Sequence, residues 1–88
     1  MKETPEWAGR ARVVMLGRDG CHLCEDAWKV IDAVAAEAGA SRAEVSLAEV
    51  GEADREDYWD KIPVTFVDGA RHDFWRVDEG RLRAALKG

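Results

Sequence analysis

Eighty-eight residues suffice for one small domain with a modest core, and 47% apolar with 35% charged residues is the composition of an ordinary folded chain. Thirteen basic against eighteen acidic side chains give a net charge of −5, which removes nucleic acid and anionic membranes from the default partners. Nothing approaches the ~20 apolar residues of a membrane span, and Met1-Lys2-Glu3-Thr4-Pro5-Glu6-Trp7 holds no signal-like apolar core, so a cytoplasmic location and no membrane partner are expected.

Residues 1–9 read as a polar tail interrupted by Pro5 and Gly9, with Trp7 as the residue able to pack on the body. The single domain, residues 1–88, then opens on a short Val-rich run from Ala11 to Leu16, which reads as a strand buried on both faces. Gly17 and Gly20 bracket a turn. Leu23, Ala27, Val30, Ile31, Val34, Ala35 and Ala38 recur every three or four residues, so a helix is expected from about His22 to Ala38, stopped by Gly39. Glu44 to Val50 reads as a second strand, with Val45 and Leu47 on one face. Strand, long helix and strand with no room for a hairpin make a parallel βαβ unit.

The polar stretch from Gly51 to Asp60 reads as a loop with one or two helical turns. Ile62-Pro63 precedes a third strand, Val64-Thr65-Phe66-Val67. Asp68-Gly69 is a two-residue hairpin signal leading to a fourth strand from about Arg71 to Val77. Asp78 caps a last helix carrying Leu82, Ala85 and Leu86, with Lys87 at its end. The expected class is α/β: a βαβ unit, then ββα, forming a four-stranded mixed sheet flanked by helices.

The two cysteines lie in Cys21-His22-Leu23-Cys24, between the first strand and the long helix. In a reducing compartment a lone cysteine pair points to reactivity or metal binding rather than to a structural staple. A helix start stabilises a thiolate, because its first amides lack partners and the helix dipole is positive there. Arg18, and His22 when protonated, would lower the pKa of Cys21; Asp19, Glu25 and Asp26 would raise it. The competing readings are inert packing cysteines and a metal site. Zinc wants four ligands, and beyond Cys21, Cys24 and His22 the chain offers only the distant His72, so no metal is expected. His72, beside the hairpin, reads as exposed. Trp28, Trp59 and Trp75, with Phe66 and Phe74, read as packing residues, Trp28 also lying near the motif end of its helix.

Three features in order, Cys21-His22-Leu23-Cys24, Ile62-Pro63 and Val67-Asp68-Gly69, make the chain over about residues 11–87 resemble the thioredoxin fold, and within it the glutaredoxin-like branch. It is most similar to the small group of that branch with a short middle helix and no known role. The resemblance implies thiol–disulfide exchange, with Cys21 as nucleophile and Cys24 as resolving thiol, and no required cofactor. It implies a cis proline at Pro63, with Ile62 offering its backbone to an extended substrate. Partners would be protein or small-molecule disulfides and a thiol reductant or reductase, acting on a monomer. His22 and Leu23 stand where the common motif has Pro-Tyr; that pair tunes potentials across a range of about −270 to −120 mV in such enzymes. The branch also offers glutathione as a co-substrate. Here the Gly-Gly pair usual after the fourth strand is missing, and Trp75 and Arg76 stand in its place. A different class of function remains: a non-catalytic adaptor, or a carrier of an iron–sulfur cluster bridged by glutathione.

Overall fold

The computed structural model describes residues 5–87. Its centre is the most apolar strand, β1 (Val13–Gly17), buried at every position. The parallel strand β2 (Arg42–Ser46) lies along one edge of β1 and the antiparallel strand β3 (Val64–Val67) along the other. Strand β4 (Ala70–Phe74) pairs antiparallel with β3, so the sheet order is β2-β1-β3-β4. This is the four-stranded mixed sheet that the sequence implies. Asp68 and Gly69 both take positive φ, 51° and 83°, as the tight hairpin between β3 and β4 requires.

Alternation along β1 divides the core in two. Val13 and Met15 face helices α1 (His22–Ala38) and α3 (Glu79–Lys87), against Ala27, Ile31, Val34, Leu82 and Leu86. The end of α1 is set by Gly39 in the left-handed region, φ 67°, with the Ala40 N–H returning to the Ala35 carbonyl at 2.8 Å. Asp78 caps α3, its carboxylate accepting from the Arg81 N–H at 2.8 Å. Arg83 ties α3 to α1 through Glu37 at 2.7 Å.

Val14 and Leu16 face the other way, with Val45, Val64 and Phe66. The cover on this face is thin: a single 3-10 turn (Glu6–Gly9) and the seven-residue helix α2 (Glu52–Tyr58). Trp7 therefore does more than end a tail. Its ring stands edge-on to Phe66 and Tyr58, at 5.1 and 6.2 Å between centroids, and its Nε1–H donates to Asp54 of α2 at 3.0 Å. Residues 5–9 are part of the packed body; residues 1–4 of the expected tail lie outside the described residues.

Other boundaries differ from expectation for local reasons. Strand β2 starts earlier and stops at Ser46 rather than Val50. There the Ser46 hydroxyl accepts from the Ala48 N–H, and the Glu49 carboxylate accepts from the Ser46 N–H at 2.8 Å. This capping box winds Leu47–Glu49 into a 3-10 turn. Strand β4 ends at Phe74 rather than Val77, because Trp75 is left-handed, φ 63°, and gives its N–H to the Pro63 carbonyl at 2.7 Å.

Trp59 and Trp75 are not core residues: they are 65% and 52% exposed. His72 is not exposed: its side chain keeps only 12% of its surface, and its buried Nε2 has no hydrogen-bond partner. It is the extra residue where the β3–β4 pairing jumps from Thr65–Asp73 to Phe66–Arg71.

Candidate redox site

Strand β1 delivers the chain to a turn in which Gly20 is left-handed, φ 71°. Cys21 follows in extended conformation as the N-cap of α1, and its sulfur accepts the Cys24 N–H at 3.2 Å. The Cys21 carbonyl accepts from the Glu25 N–H at 3.1 Å, closing the first turn. The two sulfurs are at disulfide distance, and the Cα atoms stand 5.2 Å apart, inside the usual span for a bridge. Cys21 is half-buried; Cys24 is 4% exposed and belongs to the core.

Gly17 has a role that the sequence did not reveal. Its φ is not positive, so turn geometry does not demand glycine. Space does: a Cβ there would lie 3.1 Å from the Cys24 sulfur and 3.3 Å from the Met15 methyl. The last residue of the central strand is bare because the Cys24 sulfur rests on it.

Two grooves flank the motif. The first, about 440 Å³, is lined by both cysteines with Arg18, Asp19, Glu25, Trp28, Lys29 and Glu44. Arg18, Asp19 and Glu25 line this groove together with the cysteines, and Trp28 joins them. His22 is not drawn in: its side chain is 95% exposed and lies 3.8 Å from Glu25. Asp26 lines the other groove instead. Lys29 and Glu44 were missed. Lys29 was legible, since 21, 25 and 29 follow one another at helical spacing. Glu44 was not, because only the register that sets it opposite Met15 brings β2 to the motif.

The second groove, about 330 Å³, is lined by Leu23, Asp26, Ala27, Val30, Trp75, Arg76 and Val77. Trp75 and Arg76 do not fill the region after β4; they wall this opening.

The Ile62-Pro63 bond is cis. Ile62 belongs to the same buried cluster as Cys24, against which Cys21 also packs. The Ile62 side chain is thus committed to the core, while its backbone N–H and C=O make no hydrogen bond with other described residues. Among the described residues no group of three or more His, Cys, Asp or Glu side chains could hold a metal ion. No helix among them is long and apolar enough to cross a membrane.

Known proteins resemble this chain. An uncharacterized protein of Mycobacterium tuberculosis is 33% identical over 81 residues, covering 88% of this chain and 84% of its own. The crystal structure of a structural-genomics target from X. campestris is 28% identical, with a TM-score of 0.67 over 85% of this chain and 95% of that one. The holo form of glutaredoxin C1 from Populus tremula x tremuloides shares the fold at 21% identity, with a TM-score of 0.59 over 93% of this chain and 89% of its own. The family match runs over residues 12–87, nearly the whole of the described fold, and on it this chain belongs to the glutaredoxin-like domain family (DUF836).

Proposed function

We propose that the protein is a thiol–disulfide oxidoreductase working through the Cys21–Cys24 pair. The observation that carries this reading is the position of Cys21: half-buried at the N-cap of a 17-residue helix, its sulfur facing a main-chain N–H and at disulfide distance from the buried sulfur of Cys24. In the reduced protein the same amide and the helix dipole stabilise a thiolate at Cys21. That thiolate attacks one sulfur of a substrate disulfide, and the other sulfur leaves as a thiolate that takes up a proton. Cys24 then loses its proton and attacks the Cys21 sulfur, forming the internal disulfide and releasing the second substrate thiol. Two electrons and two protons have passed to the substrate. Two thiols of a reductant, or a reductase, return them.

Arg18 and Leu23 tune the pair, and the backbone of Ile62, beside Pro63, guides an extended substrate. The chemistry needs no bound cofactor, and the protein acts as a cytoplasmic monomer. Glutathione is a poor co-substrate in this reading, since the Gly-Gly pair usual after the fourth strand in glutathione-using relatives is missing here.

The test is a pair of serine variants incubated with an oxidised thiol and read by mass spectrometry. Cys24→Ser should accumulate a mixed disulfide on Cys21. Cys21→Ser should form none, because a serine hydroxyl is not appreciably ionised at neutral pH and Cys24 is shielded. The reverse pattern would exchange the roles. Reaction no faster than that of free cysteine in either variant would remove the oxidoreductase reading.

A further inference from the structure

Both cysteines line the groove on the β2 side of the motif, and neither lines the other groove. A small disulfide meets the sulfurs here. The opening, about 440 Å³, is of ligand size. Charge of both signs lines it from three elements: Arg18 and Asp19 from the turn after β1, Glu25 and Lys29 from α1, and Glu44 from β2. Trp28, half-buried against the core, adds an apolar wall.

These charges do not close on one another. Elsewhere arginines pair with carboxylates: Arg12 with Asp68 at 3.2 Å, Arg42 with Asp32 at 3.0 Å, Arg81 with Asp73 at 2.8 Å. In the groove, the side chains of Arg18, Asp19, Lys29 and Glu44 have no hydrogen-bond or ion-pair partner among the described residues. Glu25 and Lys29 stand at the i, i+4 spacing, in the order that favours an ion pair on a helix, yet Glu25 lies 3.8 Å from His22 instead. Two cations and three carboxylates thus line one opening, rooted too far apart on separate elements to neutralise each other.

We propose that this groove binds the α-amino-acid head group of a small disulfide, of which cystine is the simplest. The proposal rests on exchange at the Cys21–Cys24 pair and adds the substrate class. Such a molecule carries an ammonium and a carboxylate on the carbon next to the one bearing sulfur, so both charges arrive with the disulfide. Lys29 and Arg18 meet the carboxylate; Glu44 and Asp19 meet the ammonium. A substrate charged with one sign meets repulsion from half of the groove, whereas an oriented zwitterion sets each of its charges by the opposite one. The Cys21 thiolate attacks one cystine sulfur; the cystine S–S bond breaks, and one cysteine leaves as a thiolate that takes up a proton. Cys24 loses its proton, attacks the Cys21 sulfur and releases the second cysteine in the same way. Two electrons and two protons pass from the protein to cystine.

The test mixes the reduced full chain with an excess of one of four disulfides at low ionic strength: cystine, cystamine with ammonium groups only, dithiodipropionate with carboxylates only, and uncharged hydroxyethyl disulfide. Acid quenching and mass spectrometry give the rate of protein oxidation, which is divided by the rate of dithiothreitol with the same disulfide to remove intrinsic reactivity. Cystine should exceed hydroxyethyl disulfide about tenfold, the sum of two exposed ion pairs. Relative to hydroxyethyl disulfide, Lys29→Met should lower cystine and dithiodipropionate about threefold and not cystamine; Glu44→Gln should lower cystine and cystamine about threefold and not dithiodipropionate. Salt should shrink the cystine preference. A loss of local structure would not sort the probes by charge. Cystine no faster than hydroxyethyl disulfide, or a preference that neither substitution moves, overturns the proposal.

A second measurement is independent of exchange. S-methylcysteine, which has the head group and no reactive sulfur, is titrated into isotope-labelled protein with its disulfide intact. It should shift the Lys29 and Glu44 amides, and 2-(methylthio)ethanol, the same thioether without charges, should not. Shifts with both compounds or with neither overturn the site. If none of the four disulfides oxidises the protein, the exchange reading fails, and the titration alone decides the groove.

Discussion

Gly17→Ala places a methyl group 3.1 Å from the Cys24 sulfur, 0.3 Å short of the 3.4 Å at which ordinary contact begins. The Met15 methyl, at 3.3 Å, ends a flexible thioether and can swing away. The sulfur differs between redox states. In the disulfide it is tied to Cys21 and cannot turn aside, so the overlap moves backbone or helix; overpacking of this kind costs about 1–3 kcal/mol, and one tight contact belongs at the low end. In the dithiol the Cys24 side chain can rotate, and most of that cost disappears. Alanine also reduces the freedom of the unfolded chain, which stabilises both forms alike and cancels in their difference. The oxidised form should therefore lose about 1 kcal/mol more than the reduced form, which for a two-electron couple makes the disulfide easier to reduce by about 20 mV. Urea unfolding of both forms gives the first quantity, and equilibration with a thiol–disulfide buffer gives the second. The two must agree, because they close one thermodynamic cycle. Equal losses in both forms with an unmoved potential would refute the idea that Gly17 is bare to admit the bonded sulfur.

Trp7→Ala removes the edge-on contacts with Phe66 and Tyr58 and the hydrogen bond to Asp54. A loss of about 3 kcal/mol is expected in urea unfolding, a large share of a small domain's stability, whereas Asp54→Asn, which keeps an acceptor, should cost far less. The Ser46 N–H first, and Arg10 second, hold the Glu49 carboxyl below its ordinary value. Its stabilisation of the turn after β2 is thus fully present above the unfolded-state value and is lost as pH falls through the lowered folded-state value. Carbon NMR should place its midpoint below the ordinary glutamate value, and Arg10→Ala should raise that midpoint only part of the way; complete recovery would reverse the order of causes.

Periodicity and capping chemistry are local, so the sequence by itself determined the long helix after the cysteines, its stop at Gly39, the Asp68-Gly69 hairpin and the Asp78 cap. Each depends on residues within one or two turns of one another. The cysteines were legible for the same reason, since a helix start is read from its neighbours in the chain. Where two local signals competed, the stronger cue was misjudged: the alternation of Val45 and Leu47 concealed the Ser46–Glu49 capping box, which ends β2 with two hydrogen bonds. Tertiary structure alone decided the rest. Glu44 reaches the cysteine groove through the β1–β2 register, and Gly17 is needed because a helix packs its sulfur there. Tryptophan identity could not say that Trp7 would be packed and Trp75 presented, because burial is a property of where the fold has a bare face. The thin side of the sheet takes up Trp7, and a left-handed residue after β4 turns Trp75 outward beside the motif.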